Sequence, residues 1–262
     1  MSEEDKNKAM NNLIALYTEG AVEKCYQEAK EATKIYPKEP FIYNLMGVAS
    51  AGMGSFEESI KCYEKAISLN PQYVEVYNNM GVAFNDWKKY EMAIQYCDKA
   101  ITLNPSYADA YNNMGNAQKN LGKLNQAIES YKKAIGLNKN YLDAYSNLAI
   151  AYSSCDNFEE SEKVFKKALA IDPSNTTILY NYGEILFNQG FYEVAKSLLE
   201  HISSSETLDS KFYNLMGKVY QKFDFVKSIR FYRRALKDVE IVSDVKNNIG
   251  TLYFEFLKVR ES

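Results

Sequence analysis

The sequence repeats itself at intervals of 34 residues. Residues 74–107 read VEVYNNMGVAFNDWKKYEMAIQYCDKAITLNPSY, and residues 108–141 read ADAYNNMGNAQKNLGKLNQAIESYKKAIGLNKNY. The preceding segment, residues 40–73, follows the same pattern. Self-similarity at a period of this size is typical of solenoids and other arrays, in which each unit packs only against its neighbours. The chain is therefore expected to form a stack of like units without a single central core.

Each unit has the pattern of two amphipathic helices. Large apolar residues lie three, four or seven positions apart, which is the spacing of a helix with one buried face. In the unit 74–107 these are Tyr77, Met80, Phe84, Ile94 and Ile101, and the small residues between them are Gly81, Ala93 and Ala100. Lys88 and Lys89 interrupt the pattern between the two helices. Asn104-Pro105 ends the second helix, because proline cannot continue it.

This unit resembles the tetratricopeptide repeat (TPR). The residues that carry the resemblance are Tyr77, Met80, Gly81, Phe84, Ala93, Cys97, Ala100 and Pro105, at positions 4, 7, 8, 11, 20, 24, 27 and 32 of the repeat. The resemblance implies an all-α fold, a right-handed TPR superhelix (α-solenoid) of about seven helix-turn-helix repeats with a C-terminal capping helix. We expect one domain over residues 1–262, with repeats at 6–39, 40–73, 74–107, 108–141, 142–175, 176–209 and 210–242 and a capping helix at 243–257. A candidate hinge lies near Ser203–Asp209.

Bulk properties narrow the location and the class of partner. A formal charge of −3 argues against a general nucleic-acid binder, and the sequence lacks an apolar run long enough to span a membrane. The polar, acidic segment Met1–Asn12 does not have the pattern of a secretory signal. The four cysteines fall at small or apolar positions of the repeat, so packed or free thiols in a reducing cytoplasm are expected.

The sequence offers little that resembles a catalytic site. His201 is the only histidine, no CxxC pair is present, and no glycine-rich loop carries a phosphate-binding lysine. We therefore predict a protein that is not an enzyme and that needs no metal or other cofactor. TPR arrays also precede glycosyltransferase or sulfotransferase domains, so an alternative is the substrate-selecting arm of such an enzyme.

A recurring asparagine indicates a binding surface. Position 6 is Asn79, Asn113, Asn147, Asn181 and Asn248, and position 5 adds Asn44, Asn78, Asn112, Asn214 and Asn247. Asparagine is a poor helix former, and its amide can pair with the N–H and C=O groups of any peptide. The series is similar to the TPR superhelix of O-GlcNAc transferases, in which position-6 asparagines hold the peptide backbone in the concave groove. The other interpretation is that these residues only cap or hydrate the helices.

The predicted function is a non-catalytic protein–protein interaction scaffold that binds an extended segment of a partner in this groove. Asn116 at position 9 shares the asparagine face. Charged residues on the same face are Glu75, Asp109 and Asp143 at position 2, followed by Lys211 and Lys218 in the seventh repeat. These charges predict a ligand that is basic towards one end and acidic at the other.

Two further surfaces stand near the C-terminus. The second helix of the seventh repeat carries a basic stripe, Lys227, Arg230, Arg234 and Lys237, which suits an anionic partner or membrane headgroup but is also typical of a solvated outer face. The capping helix carries Phe254, Phe256 and Leu257 close together, which predicts self-association or cover by a missing domain. A purely structural dimerisation scaffold is the third interpretation of the chain.

Overall fold

The computed structural model describes residues 3–202, 209–236 and 241–261, with side chains as far as Phe254. Within these residues it contains fifteen α-helices and no strand. The helices are α1 (Glu3–Thr18), α2 (Val22–Ile35), α3 (Pro40–Gly52), α4 (Phe56–Leu69), α5 (Val74–Asp86), α6 (Tyr90–Leu103), α7 (Ala108–Asn120), α8 (Leu124–Leu137), α9 (Leu142–Ser153), α10 (Phe158–Ile171), α11 (Thr176–Asn188), α12 (Tyr192–Glu200), α13 (Ser210–Tyr220), α14 (Phe225–Ala235) and α15 (Val242–Glu261). The predicted fold class, an all-α TPR solenoid, is confirmed.

The chain divides into two compact units, unit 1 at Met1–Cys155 and unit 2 at Asp156–Ser262. Unit 1 contains α1–α9 and unit 2 contains α10–α15. In each unit, helices adjacent in sequence pack against each other, as α5 does against α6 and α13 against α14. The odd-numbered helices α3, α5, α7 and α9 are the first helices of their repeats and also contact one another along unit 1.

The turn within each of the first six helix pairs contains a left-handed residue at a fixed place. Four glycines supply it, Gly20, Gly54, Gly122 and Gly190, with φ between 74° and 86°. Lys88 and Asp156 take the same place in two other repeats, with φ of 60° and 57°. Left-handed backbone is costly for residues that carry a Cβ atom, so these two turns are the strained members of the series.

A missing Cβ atom lets the two helices of a pair approach closely. In α7, a Cβ on Gly115 would lie 2.6 Å from Cε1 of Tyr131, and the Tyr131 ring is fully buried against it. Gly47 meets Tyr63 in the same way at 2.5 Å. Gly and a large ring therefore interlock across the pair, which explains why the small residue stands at this position of the repeat.

Unit 2 repeats this packing with its own core. Leu199, Leu215 and Val219 are buried in one cluster, and Val245 and Leu252 of α15 are buried in a second cluster with Tyr232. α15 begins one residue before and ends four residues after the predicted capping helix. Most of the candidate hinge, and the side chains of Phe256 and Leu257, lie outside the described residues. Phe254 is 61% exposed.

Candidate functional site

The asparagines of unit 1 are linked to one another between repeats. Nδ2 of the position-6 residue donates a hydrogen bond to Oδ1 of the position-5 residue in the preceding repeat. The three bonds are Asn79 to Asn44 at 3.0 Å, Asn113 to Asn78 at 2.9 Å and Asn147 to Asn112 at 3.1 Å. We call these six residues the asparagine ladder. It joins the first helices of four consecutive repeats, α3, α5, α7 and α9.

The two positions of the ladder have different environments. Asn44, Asn78 and Asn112 at position 5 are buried, the last two at 6% and 5% exposure. Asn79, Asn113 and Asn147 at position 6 are half-buried. The side chains of Asn78 and Asn112 are enclosed and serve as acceptors for the next repeat.

The position-6 amides keep part of their hydrogen-bonding capacity. Each amide offers two N–H donors and a carbonyl oxygen, and the ladder uses one donor. Among the described residues, no donor reaches Oδ1 of Asn79, Asn113 or Asn147. Asn116, by contrast, accepts a 2.9 Å bond from the Tyr131 hydroxyl, so its carbonyl is engaged. The ladder thus presents three fixed acceptors, one for each repeat from the third to the fifth.

A row of tyrosines and carboxylates lies at the start of the same helices. Tyr107 and Tyr141 immediately precede α7 and α9, and the carboxylates of Asp109 and Asp143 are exposed. Burial and the carboxylates of Asp109 and Glu75 raise the pKa of Tyr107 to about 12. Burial raises the pKa of Tyr141 further, assisted by a hydrogen bond to Asp109. The tyrosines stay neutral at physiological pH, and the row is negative through Glu75, Asp109 and Asp143.

The other predicted binding residues lie in unit 2. Asn181 is half-buried, and Asn248 of α15 donates to Oδ1 of Asn214 at 2.9 Å, so the ladder bond recurs there. Lys211 is exposed and Lys218 is half-buried, both on α13. The structure therefore brings together the asparagines and carboxylates of unit 1, and it places the predicted basic end of the groove in the other unit.

The basic stripe forms one side of a cavity on α14. Lys227, Arg230 and Arg234 are exposed and line a volume of about 250 Å³ together with Tyr220 and Phe231. Lys237 lies outside the described residues.

Sequence reasoning missed the pairing of the asparagines with one another. The three ladder bonds join residues that are 35 positions apart, one more than the length of the repeat, because position 6 bonds to position 5 of the preceding repeat. Asn120 donates to Asn85 at 3.1 Å with the same separation, two helical turns further along α7 and α5. A search for polar residues 35 apart would have found these pairs.

The described residues contain no arrangement that indicates catalysis. His201 follows the end of α12, and its Nδ1 lies 2.5 Å from the carbonyl oxygen of Ser197. Cys25, Cys62 and Cys97 are buried free thiols, and Cys155 is exposed. Across residues 3–202, 209–236 and 241–261, no group of histidine, cysteine and carboxylate side chains could hold a metal ion. No helix in these ranges is both long and apolar enough to cross a membrane.

Comparisons with known proteins agree with this architecture. The tetratricopeptide repeat model matches residues 74–107, 108–141 and 142–175, and a second TPR repeat model matches residues 51–86. A search of curated proteins finds no match.

Solved structures of TPR proteins resemble the chain. MamA is 27% identical over 66% of this chain and 96% of its own, with a TM-score of 0.54. A tetratricopeptide repeat protein from Parabacteroides merdae matches 92% of this chain and 97% of its own at 17% identity, with a TM-score of 0.72. TTC0263 from Thermus thermophilus matches 69% and 99% at 19% identity, with a TM-score of 0.57. The last two likenesses show the fold. The repeat matches show that residues 51–175 belong to the tetratricopeptide repeat family, and the chain shares the fold of these proteins.

Proposed function

We propose that this protein is a non-catalytic scaffold that binds an extended segment of a partner protein along α3, α5, α7 and α9 of unit 1. Tetratricopeptide repeats in general mediate protein–protein interactions. The observation that carries the finer proposal is the ladder, because it holds three half-exposed amide carbonyls in fixed orientations without using their acceptor capacity.

The spacing of these carbonyls suits an extended peptide. Packed helices lie about 10 Å apart, and an extended chain advances about 3.3 Å per residue. Successive ladder carbonyls would therefore accept the backbone N–H of roughly every third residue. Because each amide is already fixed by its bond to the preceding repeat, binding would cost little side-chain entropy.

The carboxylates at the start of α5, α7 and α9 give the site a preference for positively charged ligands. Glu75, Asp109 and Asp143 are exposed and recur with the same period as the ladder carbonyls. Their carboxylates would pair with basic side chains on one edge of the peptide, while the ladder holds its backbone. In an extended polyproline II segment, which has three residues per turn, every third side chain points the same way. The preferred ligand of unit 1 is therefore a segment in this conformation with a lysine or arginine at every third residue.

A binding assay with designed peptides tests this proposal. A fluorescein-labelled peptide with lysine at every third position and neutral residues between is titrated with the protein, and its fluorescence anisotropy is followed. We expect binding, and we expect the triple variant Glu75→Gln/Asp109→Asn/Asp143→Asn to weaken it about tenfold or more, because charge-assisted contacts are lost. A peptide with glutamate in place of lysine should not bind.

The matched control removes the same charge elsewhere on unit 1. Glu64, Asp98 and Glu129 are exposed residues of the second helices α4, α6 and α8, so Glu64→Gln/Asp98→Asn/Glu129→Gln changes the net charge equally. We expect this variant to bind within about twofold of the wild type, since distant exposed charges are screened by salt. Equal weakening by both variants, or no binding of the lysine peptide at all, would contradict the proposal.

The remaining functional predictions stay predictions. These are the role as a substrate-selecting arm and the cytoplasmic location. Self-association through α15 would involve Phe254, the last residue whose side chain is described.

A further inference from the structure

The cavity on α14 differs from the rest of the surface in its chemistry. Three cations, Lys227, Arg230 and Arg234, stand one or two turns apart on one side of the helix. The lining also includes Tyr220 and Phe231, whose rings stack with centroids 5.2 Å apart. The Lys227 ammonium lies 5.2 Å from the centre of the Tyr220 ring. Cations and ring faces therefore line the same space of about 250 Å³.

The three cations lack a carboxylate partner among the described residues. The surface lysines that do have one, such as Lys163 and Lys166, pair with glutamates three or four positions away on their own helix. Two carboxylates adjoin the cavity, and each is engaged by another donor. Glu200 accepts from the Tyr220 hydroxyl, and Asp224 accepts from the backbone N–H of Lys227. These hydrogen bonds leave both carboxylates charged, so the excess of positive charge arises because three cations stand against two carboxylates.

Helix stability does not explain this placement. Cations are favourable in the last turn of a helix, which accounts for Arg233 and Arg234. Lys227 lies in the first turn of α14, where the helix dipole disfavours a positive charge, and Arg230 lies in the middle. A ligand that attracts Lys227 and Arg230 into the space lined by Arg234 gives a physical reason for the pattern.

We propose that this cavity binds a phosphoryl group carried on an aromatic side chain, a phosphotyrosine of a partner peptide. A doubly charged phosphate accepts bidentate hydrogen bonds from arginine, and the Arg230 and Arg234 guanidinium groups supply these. The cavity of about 250 Å³ is several times larger than the volume of about 30 Å³ that one water occupies in the liquid. The half-buried ring of Phe231 provides an apolar surface for the phenyl ring that carries the phosphate.

The shape of the site favours this ligand over a membrane surface. The aromatic rings are packed into the wall, with Tyr220 only 6% exposed, so they would not insert into a bilayer. A headgroup layer would engage cations on a broad face, whereas these cations line one side of a concave space. The site lies in unit 2 and does not depend on peptide binding by unit 1.

Fluorescence anisotropy with labelled peptides tests the proposal on the full-length protein. The probe is a short glycine- and serine-rich peptide with one phosphotyrosine, compared with the same peptide carrying unmodified tyrosine or phosphoserine. We expect the phosphotyrosine peptide to bind tightest. The variant Arg230→Gln/Arg234→Gln should weaken it by about tenfold to a hundredfold, the range for lost hydrogen bonds to a charged group.

Arg233→Gln is the matched control, because Arg233 is exposed on the same helix and does not line the cavity. It should bind within about twofold of the wild type, and circular dichroism should show unchanged helicity in all variants, since glutamine is a helix former like arginine. Equal weakening by Arg233→Gln, or equal binding of the phosphoserine or unmodified peptide, would overturn the proposal. So would arginine-dependent binding to phosphatidylserine vesicles without binding of any peptide.

Discussion

The ladder bond between Asn113 and Asn78 is predicted to stabilise unit 1, and Asn113→Ala removes it. The variant leaves Oδ1 of Asn78 without its donor, and Asn78 is only 6% exposed. An unsatisfied buried acceptor costs about 1–3 kcal/mol. Alanine recovers up to about 0.7 kcal/mol, because it is a better helix former than asparagine. We expect the free energy of unfolding to fall by about 1–2 kcal/mol.

Urea unfolding followed by tryptophan fluorescence measures this change. Trp87 is the only tryptophan, and it lies in unit 1 with its ring stacked on those of Phe84 and Phe56. The transition midpoint should move to lower urea with an unchanged slope, which is the mark of a change in stability alone. Asn125→Ala is the control, since Asn125 is exposed on α8, and it should leave stability the same or slightly higher.

A double-mutant cycle separates the bond from other effects of the substitution. Asn78→Ala and Asn113→Ala are measured singly and together, and we expect a coupling energy of about 0.5–1.5 kcal/mol. If Asn113→Ala leaves the midpoint unchanged, or if the two single effects simply add, the ladder contributes nothing to stability and this reasoning is wrong.

Three other predictions concern packing, thiol exposure and pH. Gly115→Ala should destabilise unit 1 by about 1–2 kcal/mol, because its Cβ would meet the buried Tyr131 ring at 2.6 Å. Gly136→Ala has open space around its Cβ and should stabilise unit 1 by about 0.5–1 kcal/mol. Urea unfolding of both variants checks these opposite signs. The native protein should show one fast-reacting thiol, Cys155, and the buried thiols should react only on unfolding. Cys155→Ser should abolish the fast reaction. More than one fast-reacting thiol would refute the assigned burial. Burial raises the pKa of Cys97 from 9.0 to about 12, so the thiol ionises at lower pH in the unfolded chain than in the folded protein. The free energy of unfolding should therefore be constant below pH 9 and fall as the pH rises towards 12. A stability curve that stays flat over that range would contradict this pKa.

The sequence predicted the fold well because the repeat carries its own packing rule. Apolar spacing, a small residue at Gly115 and a proline such as Pro105 recur every 34 residues, so each copy supports the same interpretation. The strained turns were not evident, because Lys88 is not of a type that favours left-handed backbone and Asp156 adopts it far less readily than glycine. Only the spacing of the glycines at 20, 54, 122 and 190 marks those two places.

The candidate site could be predicted only in part. Helical periodicity placed Asn112 and Asn113 next to each other on the first helix of a repeat, but it does not say which neighbouring helix each side chain meets. The structure shows that the first is enclosed as an acceptor and that the second bridges to the preceding repeat. Likewise, the sequence showed that Arg230 and Arg234 share a face, but not that Tyr220 from α13 closes a cavity with them.

The most direct test of the central claim is an N-methyl scan of the peptide that binds unit 1. Each backbone N–H of the lysine peptide is replaced in turn by N-methyl, and the dissociation constant is measured by fluorescence anisotropy. If the carbonyls of Asn79, Asn113 and Asn147 accept backbone N–H groups, affinity should drop about tenfold at roughly every third position and change little between. A uniform effect along the peptide, or none, would show that the ladder serves only to join the repeats.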